Sequence, residues 1–337
     1  MKKILVILFS ITLVIINQSC DKGTKGSKTL LPNVTGKSGE VVVVISNSVI
    51  KDTVAATFKA ILEEEYPMIP QSEPLFNVVM IPTSSFSDIF KSHRNIIIVK
   101  VDDSFKEAKI VTQSDVWAAP QTLLNIVGPT YPAIQKMIVE EQDRLIQLLE
   151  QAERDRIVQN AKRFEAEGIR NFLAKKFGIS AYFPKGYKLN LDTTNFAWIS
   201  YETPSTTQGI LIYEYPYTDA NTFSAEYLIE QRNSFTHKYV AGPTPNSYMS
   251  TETIIPPRFT PLMYKGRYFG QLRGLWTVIG HPMGGPFISL TTIDEQNNRA
   301  ITIEGFVFAP RLDKRNYVRQ VEALMLSFEL LEKEVED

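Results

Sequence analysis

The sequence predicts an α/β protein of the α+β kind: an N-terminal α/β unit on a mixed sheet, a long connecting helix, and a C-terminal antiparallel sheet with flanking helices. Three observations point there. Before residue 130, short β-branched runs alternate with helical spacing. The stretch that follows, 130–177, is charge-rich and holds the longest helical pattern in the chain. Beyond 178, strand and turn patterning dominates. A chain of 337 residues, 44% hydrophobic and 22% charged, is enough for about two domains at roughly 150 residues each.

The N-terminus comes first. Met1-Lys2-Lys3 is a cationic start, and residues 4–16 are apolar except for Ser10 and Thr12, which is the pattern of a secretory signal peptide over 1–19. That stretch falls short of the roughly 20 residues a spanning helix needs. It ends in Asn17-Gln18-Ser19-Cys20, with the chain's single cysteine directly after a small residue. This junction resembles the lipobox of bacterial lipoproteins, with Asn17 where the usual pattern has an aliphatic residue. The resemblance implies acylation of Cys20 and a place in the bacterial cell envelope, on the periplasmic face of the outer membrane. A buried free thiol is the alternative, but a core thiol has no reason to sit at the end of a leader. With one cysteine no intramolecular disulfide forms. Residues 20–39 then read as the lipidated cysteine and a flexible tether rich in glycine, lysine, serine and threonine, spanning about 25 Å on average.

Residues 40–129 form the first folded unit. Residues 41–45 are five consecutive β-branched residues, as in a strand covered on both faces. Asp52 is placed to cap a helix carrying Val54, Phe58, Ile61 and Leu62, which Pro67 stops. Residues 75–81 are a second strand. Residues 84–91 suit a short helix with Phe86, Ile89 and Phe90 inward, and 96–101 a third strand. Runs at 110–117 and 123–127 flank Pro120, which belongs between ladders, and the loss of alternation there makes the sheet mixed.

Residues 130–177 are the connecting helical segment. Thr130 is a cap with Pro132 in the first turn. Ile134, Ile138, Leu145, Leu148 and Leu149 mark one face, and Ile157, Ala161 and Phe164 resume out of phase. An unbroken helix over 132–167 would be roughly 54 Å long, with its two ends packed on different partners and Gly168 a kink or break. Residues 178–337 are the second unit. Phe183-Pro184-Lys185-Gly186-Tyr187 is a turn leading into strands at 188–191, 196–201 and 210–215, and a helix spans about 223–235. Residues 243–261 are proline-rich and read as a long irregular loop. Strands follow at 270–279, 287–294 and 299–308. Tyr317, Val321, Leu324, Met325 and Phe328 make the apolar stripe of a terminal helix that caps the sheet.

The run Gly274-Leu275-Trp276-Thr277-Val278-Ile279-Gly280-His281-Pro282-Met283-Gly284-Gly285-Pro286-Phe287, together with Arg94-Asn95-Ile96-Ile97-Ile98 and residues 117–121, resembles the bacterial lipoprotein family known as domain of unknown function 4837. The resemblance covers nearly the whole chain beyond the leader. It implies no activity and supplies no catalytic residues. In element order, turn and closing helix, the second half also resembles the α/β/α sandwich of PsbP-type photosystem II extrinsic proteins and Mog1-like adaptors. Proteins of that shape are mostly binders, but shape alone assigns no function.

The chemistry legible in the sequence is sparse. It carries no phosphate-cradling glycine loop, no Gly-x-Ser-x-Gly elbow and no His-Glu-x-x-His. His93, His237 and His281 are far apart, so no metal site and no cofactor is expected. A net charge of −1 gives no sign of a polyanion-binding surface, and nucleic acid is not an expected partner. The glycines of His281-Pro282-Met283-Gly284-Gly285-Pro286 free the backbone for close approach, so Arg267, Arg273, Trp276, His281, Gly284 and Gly285 are the candidate ligand-binding residues. The same residues equally describe a hairpin connection with Trp276 in the core, and that is the preferred reading. Glu214 and Glu304 are a carboxylate pair of interest for glycoside hydrolysis, although strand alternation points both to water. Tyr213, Tyr215 and Tyr217 suit stacking on a sugar or, more simply, cross-strand packing. The expectation is a lipid-anchored envelope protein acting as a non-enzymatic binding or assembly factor through its second unit, on another envelope protein or a glycan. The alternative is an envelope hydrolase acting on glycan or peptide polymers through carboxylates. The two separate on whether carboxylates converge in an open cleft.

Overall fold

The β-branched run at 41–45 is buried along its whole length, one place in from the edge of a five-stranded sheet, in a computed structural model that describes residues 30–331. The leader and Cys20 lie outside the described residues. Strands β1 (Glu40–Ile45), β2 (Asn77–Pro82), β3 (Asn95–Val101), β4 (Lys109–Ser114) and β5 (Thr122–Gly128) are ordered β2-β1-β3-β5-β4. The first three and β5 pair in parallel and β4 runs antiparallel, so the sheet is mixed. Helix α1 (Thr53–Leu62) turns Val54, Phe58, Ile61 and Leu62 onto one face; Asp52 occupies the cap position, but its side chain makes no cap hydrogen bond. Helix α2 (Asp88–Lys91) leaves Ile89 75% exposed, against the inward place expected for it, because the helix is a single turn and only Phe86 and Phe90 reach the sheet.

The connecting segment is three helices, not one. Helix α3 (Tyr131–Glu140) is capped by the Thr130 hydroxyl, which accepts from the Ala133 N–H at 3.3 Å. Helix α4 (Gln142–Arg163) follows a break at Glu141, and α5 (Ile169–Phe177) begins after Gly168, whose φ of 84° ends any continuity. The change of phase has its counterpart in packing. Leu145 and Leu149 enter the first core beside Phe58, Ile97 and Leu124, whereas Ala161 enters the second.

Beyond β6 (Ile179–Ser180), strands β7 (Lys188–Thr193), β8 (Phe196–Glu202), β9 (Thr207–Pro216), β10 (Tyr248–Thr251), β11 (Arg258–Tyr264), β12 (Arg267–Ile279), β13 (His281–Asp294) and β14 (Arg299–Phe308) build one antiparallel sheet. Its order is β10-β12-β13-β14-β9-β8-β7, with β11 also on β12. Helix α6 (Ala225–Tyr239) covers one face, where Leu228 and Phe235 meet Leu211, Trp276 and Phe306. Helices α5 and α7 (Arg315–Met325) cover the other, where Leu173, Phe177, Val318 and Val321 meet Ile210, Ile212, Ile288 and Ile303. The strand β15 (Glu329–Leu330) returns to pair with β6. Truncating a fully buried anchor such as Phe58 or Phe177 to alanine costs about 3–5 kcal/mol.

Two expectations are corrected. The stretch 243–261 is not one irregular loop: β10 lies within it and β11 begins in it, both on the outer side of β12, where a proline such as Pro261 is tolerated. Pro256 and Pro257 fall between them, outside any strand. Nor does the tether run to residue 39. The Ala119 N–H donates to Pro32 O, the Thr35 N–H to Ser92 O and the Arg94 N–H to Thr35 O, so the chain is fixed well before Glu40. Gly36 takes φ 85° against the His93 ring, where a Cβ would overlap the imidazole, and glycine there serves close approach rather than freedom.

The two sheets are joined through α7. Arg319, fully buried, donates from Nε to Glu150 Oε2 of α4 at 3.0 Å and from Nη2 to Leu75 O at 2.9 Å, with its guanidinium 5.0 Å from the Phe76 ring. Burial alone would lower its pKa, but the Glu150 carboxylate raises it instead. The Glu73 carboxylate of the first unit accepts from the Lys314 and Arg315 N–H groups at 2.6 and 3.0 Å, capping a helix of the second unit across the seam. Arg273 pairs with Glu322, beside a Tyr66 phenol that burial, foremost, and then Glu322 push up to about 12.

Candidate functional site

The residues singled out along β12 and β13 are taken up by packing. The turn between the strands is Gly280, at φ 85°, and His281 to Pro286 already belong to β13, with a bulge at Thr277/Val278. Trp276, 2% exposed, donates from Nε1 to Val307 O at 3.2 Å. Gly285 lies opposite it and a Cβ there would overlap that same carbonyl, while one on Gly284 would stand 2.7 Å from Trp276 O. Gly285 therefore admits the indole, and Gly284 the close approach of the β12 backbone. Arg273 faces the other side of the sheet, held by Glu322 and by Gln271 Oε1 at 3.2 Å. Arg267 reaches only the Ile293 carbonyl, at 3.4 Å, and the His281 Nδ1 is buried without a partner among the described residues. No cleft gathers these six.

The carboxylates do not converge either. Glu304 was expected at the surface; it is fully buried, because β14 is covered on both faces and α6 brings Arg232 onto it. Arg232, itself 0% exposed, donates from Nε at 3.0 Å and from Nη2 at 2.9 Å, and its guanidinium stacks 3.8 Å from the Phe287 ring. Burial raises the Glu304 pKa against the lowering by Arg232. Glu214 is tied to Arg299. Tyr213 and Tyr215 are core residues packed with Phe235.

A cleft with a volume of about 670 Å³ opens between the two units. Val34 and Ser38 of the N-terminal segment, Arg94 and Pro120 of the first unit, and Arg156, Gln159, Asn160 and Arg163 of α4 form one wall. Lys185 and Tyr187 of the turn before β7, Tyr201 of β8, Gln208 of β9 and Gln320 of α7 form the other. Backbone bonds set the far wall. The Ala166 N–H donates to Phe183 O at 2.8 Å and the Lys185 N–H to Phe164 O at 2.7 Å, which stitches the 184–187 turn to the end of α4. Gly186, at φ 100°, lets the turn close on the Tyr201 ring, since a Cβ there would meet its Cε2 at 2.7 Å. Tyr187 and Tyr201 lie 5.8 Å apart, and the Tyr187 hydroxyl donates to Gln208 Oε1 at 3.2 Å.

Four cations line this cleft and no carboxylate does. Beneath it Glu153, fully buried, is saturated: it accepts from Ser38 Oγ at 3.0 Å, Asn95 Nδ2 at 2.8 Å and Arg156 Nη1 at 3.1 Å, with Arg94 Nε 3.4 Å away. Burial would raise its pKa, but Arg94, Arg156 and the Asn95 amide outweigh that and hold it below the ordinary range, so it stays ionised and is no proton donor. Burial lowers Arg156 to about 10, which leaves it charged at neutral pH. One carboxylate against Arg94, Arg156, Arg163 and Lys185 leaves the cleft cationic. Arg94 Nε has no hydrogen-bond partner among the described residues, and neither Arg163 nor Lys185 has an acidic one. Sequence reasoning missed this site; its one local signal is the Phe183-Pro184-Lys185-Gly186-Tyr187 turn.

Residues 167–327 match the family described as Domain of unknown function (DUF4837), and residues 34–162 match a second, Domain of unknown function (DUF8532). The motif at 274–287 falls in the first, and Arg94 to Ile98 with 117–121 in the second, so the family expected over most of the chain covers its second half. No curated protein matches. Among solved structures, the Saccharomyces cerevisiae Ran-binding protein Mog1p is similar at 10% identity and a TM-score of 0.31, over 46% of this chain and 91% of its own. LpqN of Mycobacterium tuberculosis, described as involved in cell envelope biogenesis, is similar at 9% identity and a TM-score of 0.29, over 46% and 83%.

Proposed function

From the premise that residues 167–327 belong to the DUF4837 family, we propose that this is a lipid-anchored protein of the bacterial cell envelope that binds another envelope component in the cleft between its two units. The envelope and anchor rest on the cationic start, the apolar stretch and Cys20. Stable anchoring takes more than one acyl chain, which a multiply acylated cysteine supplies. The observation that carries the binding reading is the composition of the cleft: side chains that hold a polar ligand, and no free carboxylate to act as acid, base or nucleophile. The carboxylate that burial raises, Glu304, is sealed against Arg232 and out of reach of any polymer, which weighs against it as the acid of a hydrolase.

Two measurements test this. Cys20→Ala is expected to release the protein from membranes into the soluble envelope fraction; retention in the detergent phase sinks the anchor. Photo-crosslinkers placed at Gln159 and Gln320, on opposite walls, are expected to capture one and the same envelope component in intact cells. Capture of nothing specific at either position, with purified protein degrading cell-wall polymer, would reverse the reading.

A further inference from the structure

We infer that the occupant of this cleft is an acidic glycan, a saccharide strand bearing carboxylate or phosphate groups; the inference rests on the cleft being the binding site. Three features of the lining converge on that class. The acid group meets the cations: Arg94 from the first unit, Arg163 from the end of α4 and Lys185 from the facing turn stand on both walls with no carboxylate among the lining residues. Arg163 and Lys185, exposed and with no acidic partner among the described residues, are the charges open to the oxygens of a carboxylate or a phosphate, while Arg94 Nε is turned to Glu153 at 3.4 Å and adds to the positive potential from beneath. The sugar ring meets Tyr201, 36% exposed and held in place by the turn backbone at Gly186. An aromatic with one polar tip offers an apolar face to C–H groups and a hydroxyl to the ring substituents. The hydroxyls meet the amides of Gln159 and Asn160, which are exposed, line the cleft and make no side-chain hydrogen bond within the described residues.

An acidic peptide shares the charge but not the rest. Strands β8 and β9, which supply Tyr201 and Gln208, are inner strands of their sheet, so the cleft offers no row of unpaired main-chain groups to which a peptide strand adds. The volume of about 670 Å³ falls within the roughly 300–1,000 Å³ of built small-ligand sites and holds a few sugar units rather than a folded partner.

The test is calorimetric titration of the detergent-solubilised full chain with four probes: an oligogalacturonate, a phosphorylated oligomannose, a neutral oligomer of N-acetylglucosamine, and poly-glutamate matched in charge to the first. One or both acidic saccharides are expected to bind, and which of them does so names the acid. Arg163→Gln and Lys185→Gln are each expected to weaken that binding about threefold, as exposed charge contacts do. Tyr201→Ala is expected to weaken it about tenfold and Tyr201→Phe to leave it largely intact, with unchanged thermal transitions showing that each variant is folded. Poly-glutamate binding as tightly as the saccharides, indifferent to Tyr201→Ala, overturns the glycan in favour of an acidic peptide and leaves the cleft as binding site. The neutral oligomer binding equally well overturns the need for acid. Binding of no probe also sinks the glycan, while the crosslinks at Gln159 and Gln320 report separately on whether the cleft is occupied at all.

Discussion

Two groups of cations stand where the sheets meet, and they differ in what faces them. Along α7, Arg319 meets Glu150 and Arg273 meets Glu322, each cation matched by a buried carboxylate. Across the cleft, Arg94, Arg156, Arg163 and Lys185 share the single carboxylate of Glu153. The Arg319–Glu150 pair holds the units together and the Arg273–Glu322 pair fixes α7 on its own sheet, because a buried ion without its partner is strongly unfavourable. Of the second kind, Arg156 is buried and bound to Glu153, Pro120 O and Arg94 O, whereas Arg163 and Lys185 stand exposed with no acidic partner among the described residues, which is the condition for recruiting an anion.

Breaking that contrast should have its largest effect at the seam. Glu150→Ala leaves the Arg319 guanidinium buried and uncompensated, and urea denaturation is expected to register a loss of about 3–5 kcal/mol. The double change Glu150→Leu with Arg319→Met should recover most of it, since matched apolar replacements remove both desolvated charges together. Glu73→Ala comes next: deleting the cap that the first unit places on α7 should cost about 1–2 kcal/mol, measured as a lowered thermal midpoint without loss of helix signal.

Acid probes the floor of the cleft. The Glu153 carboxyl is held below its unfolded value of 4.5, so its stabilisation is whole above that value and is lost as pH falls through the lower folded one. Stability measured downward from pH 7 should fall in that window, and Glu153→Gln should flatten that part of the curve. The smallest effect on stability is expected at the rim, where Arg163→Gln and Lys185→Gln should each lie within about 0.5 kcal/mol of the parent while weakening ligand binding. A rim variant as damaging as Glu150→Ala would erase the distinction between the two groups.

The fold was readable where the information is local. The run at 41–45, the Thr130 cap and the 295–298 turn each specify structure within a few residues, and the mixed and antiparallel sheets follow from them. The break at Gly168 was legible from the glycine, whereas the one at Glu141 was not, since Ile134 to Leu149 read as a single face; the change of phase from Ile157 falls inside the unbroken α4, where the helix changes its packing partner. The cleft was not legible, because its cations come from positions 94, 156, 163 and 185, separated by strands, helices and a turn, and a net charge of −1 averages them away. Arg232 and Arg319 were hidden differently: on helices with charged faces, nothing in the spacing tells which arginine turns inward to meet a distant glutamate.

The docking of residues 32–36 fixes a working height. With Pro32 O bonded to Ala119 N and Val34 on the wall of the cleft, only about a dozen residues separate that wall from Cys20, roughly 40 Å when fully drawn out. Under the proposed anchoring, a lipid on Cys20 would keep the cleft within that short leash of the headgroups, so its occupant would have to lie against the bilayer.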